Sequence, residues 1–266
     1  MFHWLILGLI QGLTEWLPVS SEGMLVLAQT TFFGQTNLEA AISNALWLHL
    51  GTWLAAVIYF WKDIWLYLTS LFKWSSTDTD TKNIIIFLIL TTLISGLLGG
   101  AFLFGLKQFE SQILILGQFV TLLIGILLII TGYLQIKSPT AGNRTADNIT
   151  NKDSIILGLS QALSALPGFS RSGLTVSALL LRKFDKVIAL KLSFLMSIPL
   201  VLIGNIILEM TDSRLSPEAL VGLITAFVSG LITIHYILKI AARVNFGKFV
   251  IALGLLITIT SAILLF

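Results

Sequence analysis

Six stretches of the chain are apolar over the roughly 20 residues that an α-helix needs to cross a bilayer: 42–61, 84–105, 113–136, 187–208, 219–238 and 248–266. Two further regions, 1–33 and 154–182, are built differently. Each has an apolar run of about a dozen residues, too short to span, then a break rich in Pro, Ser and Gly, then a second short apolar run. This pattern predicts a re-entrant hairpin that enters and leaves the membrane on one side. Non-helical backbone is tolerated at membrane depth only where it lines a cavity in the protein. Both breaks therefore point to a pocket.

The two regions also match one another. Leu7-Gly8-Leu9-Ile10-Gln11-Gly12-Leu13 aligns with Leu157-Gly158-Leu159-Ser160-Gln161-Ala162-Leu163, and both continue through Leu-Pro, a serine-bearing turn and a glycine, Gly23 or Gly173. The expected architecture is an all-α integral membrane protein made of two units, each a re-entrant hairpin plus three transmembrane helices. The first unit covers 1–136 and the second 137–266, with a loop at 137–153, and together they form one membrane domain. Three crossings separate the hairpins, so the second unit is expected upside down relative to the first. In such inverted repeats the site lies near the midplane, where the broken helices meet.

Composition agrees with a membrane setting. Hydrophobic residues make up 56% of the 266 positions and charged residues only 11%, less than half the roughly 25% of soluble domains. The net charge of +3 is too small to imply a nucleic-acid partner. There are no cysteines, which excludes disulfides and thiolate metal sites. The apolar start lacks a basic leader and a small-residue cleavage site and reads as retained structure. If the mouth of hairpin 1 faces one side, thirteen of the sixteen Lys and Arg fall on the opposite side. Only Lys107 and Arg214 join the mouth, and Arg171 is intramembrane. The positive-inside rule then makes the basic side cytoplasmic and puts both termini and the hairpin 1 mouth outside. The polar stretches Ser75–Lys82 and Ser138–Asp153 read as mobile cytoplasmic connections, and Trp61, Trp65 and Trp74 as an interfacial belt.

Candidate chemistry sits in the two breaks. The first reads Gln11-Gly12-Leu13-Thr14-Glu15-Trp16-Leu17-Pro18-Val19-Ser20-Ser21-Glu22-Gly23-Met24. An ionisable residue in the bilayer interior is costly and usually faces a polar cavity. Glu15, one turn after Gln11, could ligate a divalent metal, act as a base, or balance a buried cation. Glu22 could join it or be solvated at the pocket mouth. Ser20 and Ser21 could bond a carbonyl of their own helix, or one could serve as nucleophile beside a base. The second break reads Pro167-Gly168-Phe169-Ser170-Arg171-Ser172-Gly173-Leu174-Thr175. A helix start, hydroxyls and a guanidinium fork make a site for phosphate, unless Arg171 is only an ion-pair partner for Glu15 or Glu22. His49, in the middle of the first span, is either a hydrogen-bonded core residue or a proton carrier. His3 and His235 lie at the chain start and near a span end.

Together, Glu15-x-Leu-Pro-Val-Ser-Ser-x-Gly and Pro167-Gly-Phe-Ser-Arg-Ser-Gly-Leu-Thr resemble the undecaprenyl-diphosphate phosphatase family, also called BacA or bacitracin-resistance proteins. The likeness runs along nearly the whole chain and takes in Leu50-Gly51-Thr52, Phe60-Trp61, Phe194 to Pro199 and Ile224-Thr225-Ala226-Phe227. It implies a phosphatase that recycles a long-chain polyprenyl carrier by cleaving its diphosphate on the outer face of the membrane. Its motif positions fall on Gln11 and Glu15, on Ser21 and on Arg171. The resemblance implies a divalent cation, Mg²⁺ or Ca²⁺, on Glu15 with Gln11. It implies roles for Glu15, Ser21 and Arg171 in catalysis; the reading of the residues themselves adds Ser20, Ser170, Arg171, Ser172 and Thr175 as phosphate-binding candidates and Glu22 and His49 as further catalytic candidates. The bacterial motif ends Ser-Ser-(Ser/Thr)-Gly-His, whereas this chain has Ser20-Ser21-Glu22-Gly23-Met24, similar to an archaeal-type branch. The histidine that the family would use is a methionine here. Two readings follow: a polyprenyl-diphosphate phosphatase, with Glu22 or His49 taking over the proton work, or a lipid-phosphate translocase that keeps the anion site without hydrolysis. A homodimer is left open.

Overall fold

The computed structural model describes residues 1–17, 21–107, 117–137, 144–165, 170–207 and 216–240, and seven positions between 248 and 259. Among them the chain is helical, with one isolated parallel bridge between Arg144 and Phe184. The helices are α1 (Phe2–Thr14), α2 (Ser21–Phe32), α3 (Leu38–Tyr59), α4 (Trp61–Phe72), α5 (Thr79–Lys107), α6 (Gly117–Ile136), α7 (Asn151–Ala162), α8 (Arg171–Leu181), α9 (Lys186–Ile207) and α10 (Pro217–Ile240). Four of the described helices are long and apolar enough to cross a membrane, namely α3, α5, α9 and α10. They overlap the expected spans 42–61, 84–105, 187–208 and 219–238, and α6 overlaps 113–136. The span expected at 248–266 lies mostly outside the described residues, as do the proline turns at 18–20 and 166–169.

Both hairpin regions are pairs of short helices, α1 with α2 and α7 with α8. Their packing does not follow chain order. α1 packs along α10, and α7 packs along α5. Glycine makes the first approach close. A Cβ on Gly12 would lie 1.9 Å from Ser229 Oγ and 2.6 Å from Gly230 N, so any side chain there would drive α1 off α10. Gly158, at the matching place in α7, would meet Ile94 of α5 at 2.7 Å. Where α1 ends, a buried cluster of Trp16, Phe60, Leu190, Phe194 and Ile234 joins α3, α9 and α10, with Trp16 edge-on to Phe194 at 4.9 Å. Burying such aromatics is worth about 2–3 kcal/mol each, which fixes the floor beneath the first break.

Two connections differ from the expectation of mobile loops. Between α3 and α5 the chain forms the amphipathic helix α4 and a 3-10 turn at Trp74–Ser76, and α5 already begins at Thr79. The backbone leaves the helical region at Phe60 (φ −98°, ψ 19°), which divides α4 from the span before it. The described part of 138–153 is docked rather than loose. Asp153 is fully buried at the start of α7, where it accepts from Thr150 Oγ1 at 2.6 Å, from both Arg144 Nη atoms at 3.1 and 2.8 Å, and from Arg182 Nε. Thr150 and Asp153 form a reciprocal capping box. Burial alone would push the Asp153 carboxyl up, but the hydrogen bonds from Arg144, Thr150 and Arg182 outweigh it and hold the group down at about 2. Arg144 also lies 4.2 Å over the Phe184 ring.

Candidate active site

Glu15 follows the last turn of α1 and keeps helical geometry, its N–H donating to Gln11 O at 3.0 Å. Its side chain is 4% exposed and receives donors from four helices. Arg171, first residue of α8, pairs with Oε1 through Nη2. On Oε2 converge Gln11 Nε2 of α1 at 3.0 Å, Ser21 Oγ of α2 at 2.7 Å and His49 Nε2 of α3 at 3.2 Å. Three of these four contacts crowd Oε2, whereas Oε1 carries, among the described residues, Arg171 alone and keeps a lone-pair position open, and the charge is shared across the joint between the two short-helix pairs.

The partners are themselves held. His49 Nδ1 lies 2.7 Å from Ala45 O, one turn earlier on α3. A carbonyl only accepts, so Nδ1 carries a proton and Nε2 is the atom that faces the site. That atom is 3.5 Å from Ser21 Oγ. Ser21, Glu15 and His49 thus form a hydroxyl, carboxylate and imidazole cluster. Gln11 Nε2 also donates to Thr52 Oγ1 at 3.1 Å, and Thr52 in turn donates to His49 O at 3.0 Å. Glu22, half-buried, is close enough to His49 and Glu15 to interact with both electrostatically.

On the facing side Ser170 caps α8, accepting from Gly173 N at 3.0 Å. Its hydroxyl is 3.2 Å from that of Ser172, which donates to Leu17 O at 2.7 Å and so ties the second helix pair to the first. Arg171 Nη1 is buried and has no hydrogen-bond partner among the described residues. A guanidinium with an unspent buried donor, at a helix N-terminus flanked by serines, is suited to an anion. Thr175 lies one turn deeper and is fully buried. Its hydroxyl donates to Arg171 O at 2.8 Å and is 2.6 Å from Ser193 Oγ, so it supports Arg171 from beneath.

The structure thus brings Gln11, Glu15, Ser21, Glu22, His49, Ser170, Arg171 and Ser172 together, with Thr175 beneath them, and Ser20 lies outside the described residues. Sequence reasoning missed Thr52 and Ser193. Thr52 is three residues after His49 and hence on the same helix face, a signal that was available. Ser193 had none, because its contact depends on how α8 meets α9. Among the described residues no three His, Asp or Glu side chains form a ready-made metal cage. Gln11 Oε1 is nevertheless a buried oxygen with no partner among the described residues, and with Glu15 it offers the hard oxygen donors that Mg²⁺ or Ca²⁺ prefers. Mg²⁺ commonly needs only one or two carboxylates and completes its shell with phosphate oxygens and water, so the donors present fit such a cation.

A helical membrane protein with a buried acidic and hydroxyl site opposite an arginine-bearing helix start is the class that these features define. Comparison with known proteins narrows it. The family described as bacitracin resistance protein BacA matches residues 4–257. A relative from Methanococcoides burtonii named undecaprenyl-diphosphatase is 42% identical over 261 residues, 96% of each chain. Relatives with the same name from Methanothrix thermoacetophila (35% over 257 residues, 95% of this chain and 93% of the relative) and Geotalea daltonii (34% over 272 residues, 96% of each) are similar along the same length. The chain belongs to the BacA family.

Proposed function

We infer that this protein is a polyprenyl-diphosphate phosphatase that cleaves a membrane-held lipid diphosphate to the lipid monophosphate and inorganic phosphate. The observation that carries the reading is the convergence of Ser21, His49 and Arg171 on one carboxylate, Glu15. A protein that only moves a phospholipid has use for the arginine but none for a hydroxyl held by a carboxylate and an imidazole.

In this mechanism the diphosphate enters between the short-helix pairs and takes the Arg171 fork, with Ser170, Ser172 and the amides that open α8. Glu15 gives up its cationic partner at that moment and becomes a stronger proton acceptor. Ser21 Oγ attacks the terminal phosphorus and its proton passes to Glu15 Oε2, while His49, protonated on both nitrogens, gives its Nε2 proton to the departing monophosphate oxygen. The bond between the terminal phosphorus and the bridging oxygen breaks, and the lipid monophosphate leaves with that oxygen. Water then attacks the phosphoserine and gives a proton to His49 Nε2, the bond from phosphorus to Ser21 Oγ breaks, Glu15 returns its proton to that oxygen, and phosphate is released. Position and charge stabilisation supply most of the rate in phosphoryl transfer. His49 thereby does from α3 what the family pattern assigns to the position of Met24. A divalent cation held by Glu15 and Gln11 would supply neutralising charge to the diphosphate.

The finer architecture belongs to the same proposal. At about 1.5 Å rise per residue, α1, α2, α7 and α8 each reach only about 16–20 Å, short of a roughly 30 Å hydrocarbon core, which supports two re-entrant hairpins. The exchange in which α1 packs on α10 while α7 packs on α5 supports an inverted repeat of 1–136 and 137–266. The basic side is cytoplasmic and the site opens outward.

The test is phosphate release by purified protein from a long-chain polyprenyl diphosphate in detergent, with Mg²⁺ or Ca²⁺ and then with chelator. Metal-dependent release that is lost in Arg171→Ala and Glu15→Ala is expected. Lipid binding that depends on Arg171 without any release would overturn hydrolysis in favour of translocation.

A further inference from the structure

α4 is not needed to cross the membrane, does not reach the site and is nonetheless tightly built. Its inward face is mixed: Ile64 and Tyr67 pack on the core cluster around Phe60 and Ala56, and Ser70 is buried beside them. Its outward face carries an apolar stripe. Trp61, Trp65, Leu68 and Phe72 recur at helical spacing on one stripe and are 52%, 56%, 47% and 91% exposed. The indoles of Trp61 and Trp65 are stacked at 5.7 Å. Lys62 and Lys73 flank this stripe, exposed, and Lys82 extends over the ring of Trp74 at 5.7 Å. The acid of the helix, Asp63, is spent on Lys191 of α9 at 2.7 Å. Asp78 accepts from Thr81 N at 2.8 Å, so it caps α5.

We propose that α4 is an in-plane anchor, lying along the membrane surface with its tryptophan stripe at the boundary between acyl chains and headgroups and its lysines reaching headgroup phosphates. The position of α4 argues for a lipid occupant. It joins the ends of two membrane-crossing helices, α3 and α5, so its outward face meets the bilayer at the depth where the hydrocarbon stops. Tryptophan is enriched at that depth because its ring is apolar and its N–H needs a polar partner. Lysines beside an apolar stripe are the mark of a helix that lies in the interface. A helix continuous from α3 through α4 would be about 50 Å long at about 1.5 Å per residue, far more than the bilayer core, and the break at Phe60 prevents it. The Asp63–Lys191 pair then fastens α9 to this anchor. The inference rests on α3 and α5 crossing the membrane and is independent of the reaction.

The chain has no cysteine, so single cysteines can carry an environment-sensitive fluorophore without background. Phe72→Cys and Trp65→Cys would be compared in lipid nanodiscs with Leu97→Cys, exposed in the middle of α5, and Ser75→Cys in the polar turn. The probes at 72 and 65 should emit to the blue of that at 75 and be quenched more by nitroxide lipids labelled near the headgroup than by those labelled at the chain end. The probe at 97 should show the opposite preference. In Lys62→Gln/Lys73→Gln the probe at 72 should lose part of its shallow quenching. If the probe at 72 is water-like and quenched by aqueous iodide as at 75, or if it ignores lipid quenchers while the unlabelled Phe72→Cys protein cross-links to a second copy, the anchor is refuted. A water-like probe at 97 would instead refute the membrane-crossing reading of α5.

Discussion

Glu15 has two oxygens and takes four donors, so each neighbour should have a measurable and different role. Arg171→Lys keeps the charge but loses the planar fork that suits a phosphate. Activity should fall by about two to three orders of magnitude, as when one charge-stabilising donor is removed, with the loss read in kcat/KM for the lipid diphosphate. Ser21→Ala and His49→Ala should each lower kcat steeply, and the double variant should be little worse than either alone, because residues that act as a unit are non-additive. Independent losses that multiply in the double variant would mean that the two do not share a proton path. Met24 bears on neither, since a thioether carries no proton, and Met24→Leu should leave the rate within a few-fold of the parent.

At the scale of elements, the motif residues were readable because each break announced itself by composition: Pro, Ser and Gly in a chain otherwise apolar. Their convergence was not readable, since it depends on α3 presenting His49 and Thr52 to α1 at a crossing that no local pattern encodes. α4 was hidden for a different reason. Twelve residues with an apolar stripe that runs straight on from α3 merge with the end of a span in any window of about 20 residues. The Thr150–Asp153 capping box was legible as a Thr-x-x-Asp pattern before an apolar run, whereas the two arginines that complete the buried cluster were not. That cluster carries its own prediction. Asp153→Asn leaves Arg144 and Arg182 facing a neutral amide, and a carboxyl held from 3.8 down to about 2 is worth about 2–3 kcal/mol at about 1.4 kcal/mol per pH unit, visible as a lower thermal unfolding temperature in detergent. Because the folded carboxyl titrates at about 2 and the ordinary value is 3.8, its contribution is complete above pH 3.8. It is lost as pH falls from there toward 2, so the parent and Asp153→Asn should converge in stability only in that acid window.

For the whole molecule, the side that each end of α3 faces is open to direct test. Thr36 and Ser75 are exposed and lie beyond the two ends of α3 and α4. With the basic side in the cytoplasm, a membrane-impermeant thiol reagent should label Thr36→Cys in intact cells and reach Ser75→Cys only after permeabilisation. The reverse pattern would turn the protein over and move the mouth of the site to the cytoplasm.

The packing of α1 on α10 and of α7 on α5 has a mechanical consequence. A helix bundle built in chain order can be drawn out of a bilayer one hairpin at a time, each leaving its neighbours intact. Here the first helix is seated on a helix near the far end of the sequence, across the Gly12–Ser229 contact, and a helix from the middle is seated on an earlier one. Tension on the N-terminus must strip a face of α10 before α2 or α3 can follow, and that loosens the floor under Trp16. A force trace should therefore record a single high step with few rests, and the protein should resist extraction by membrane proteases better than its short helices alone would allow.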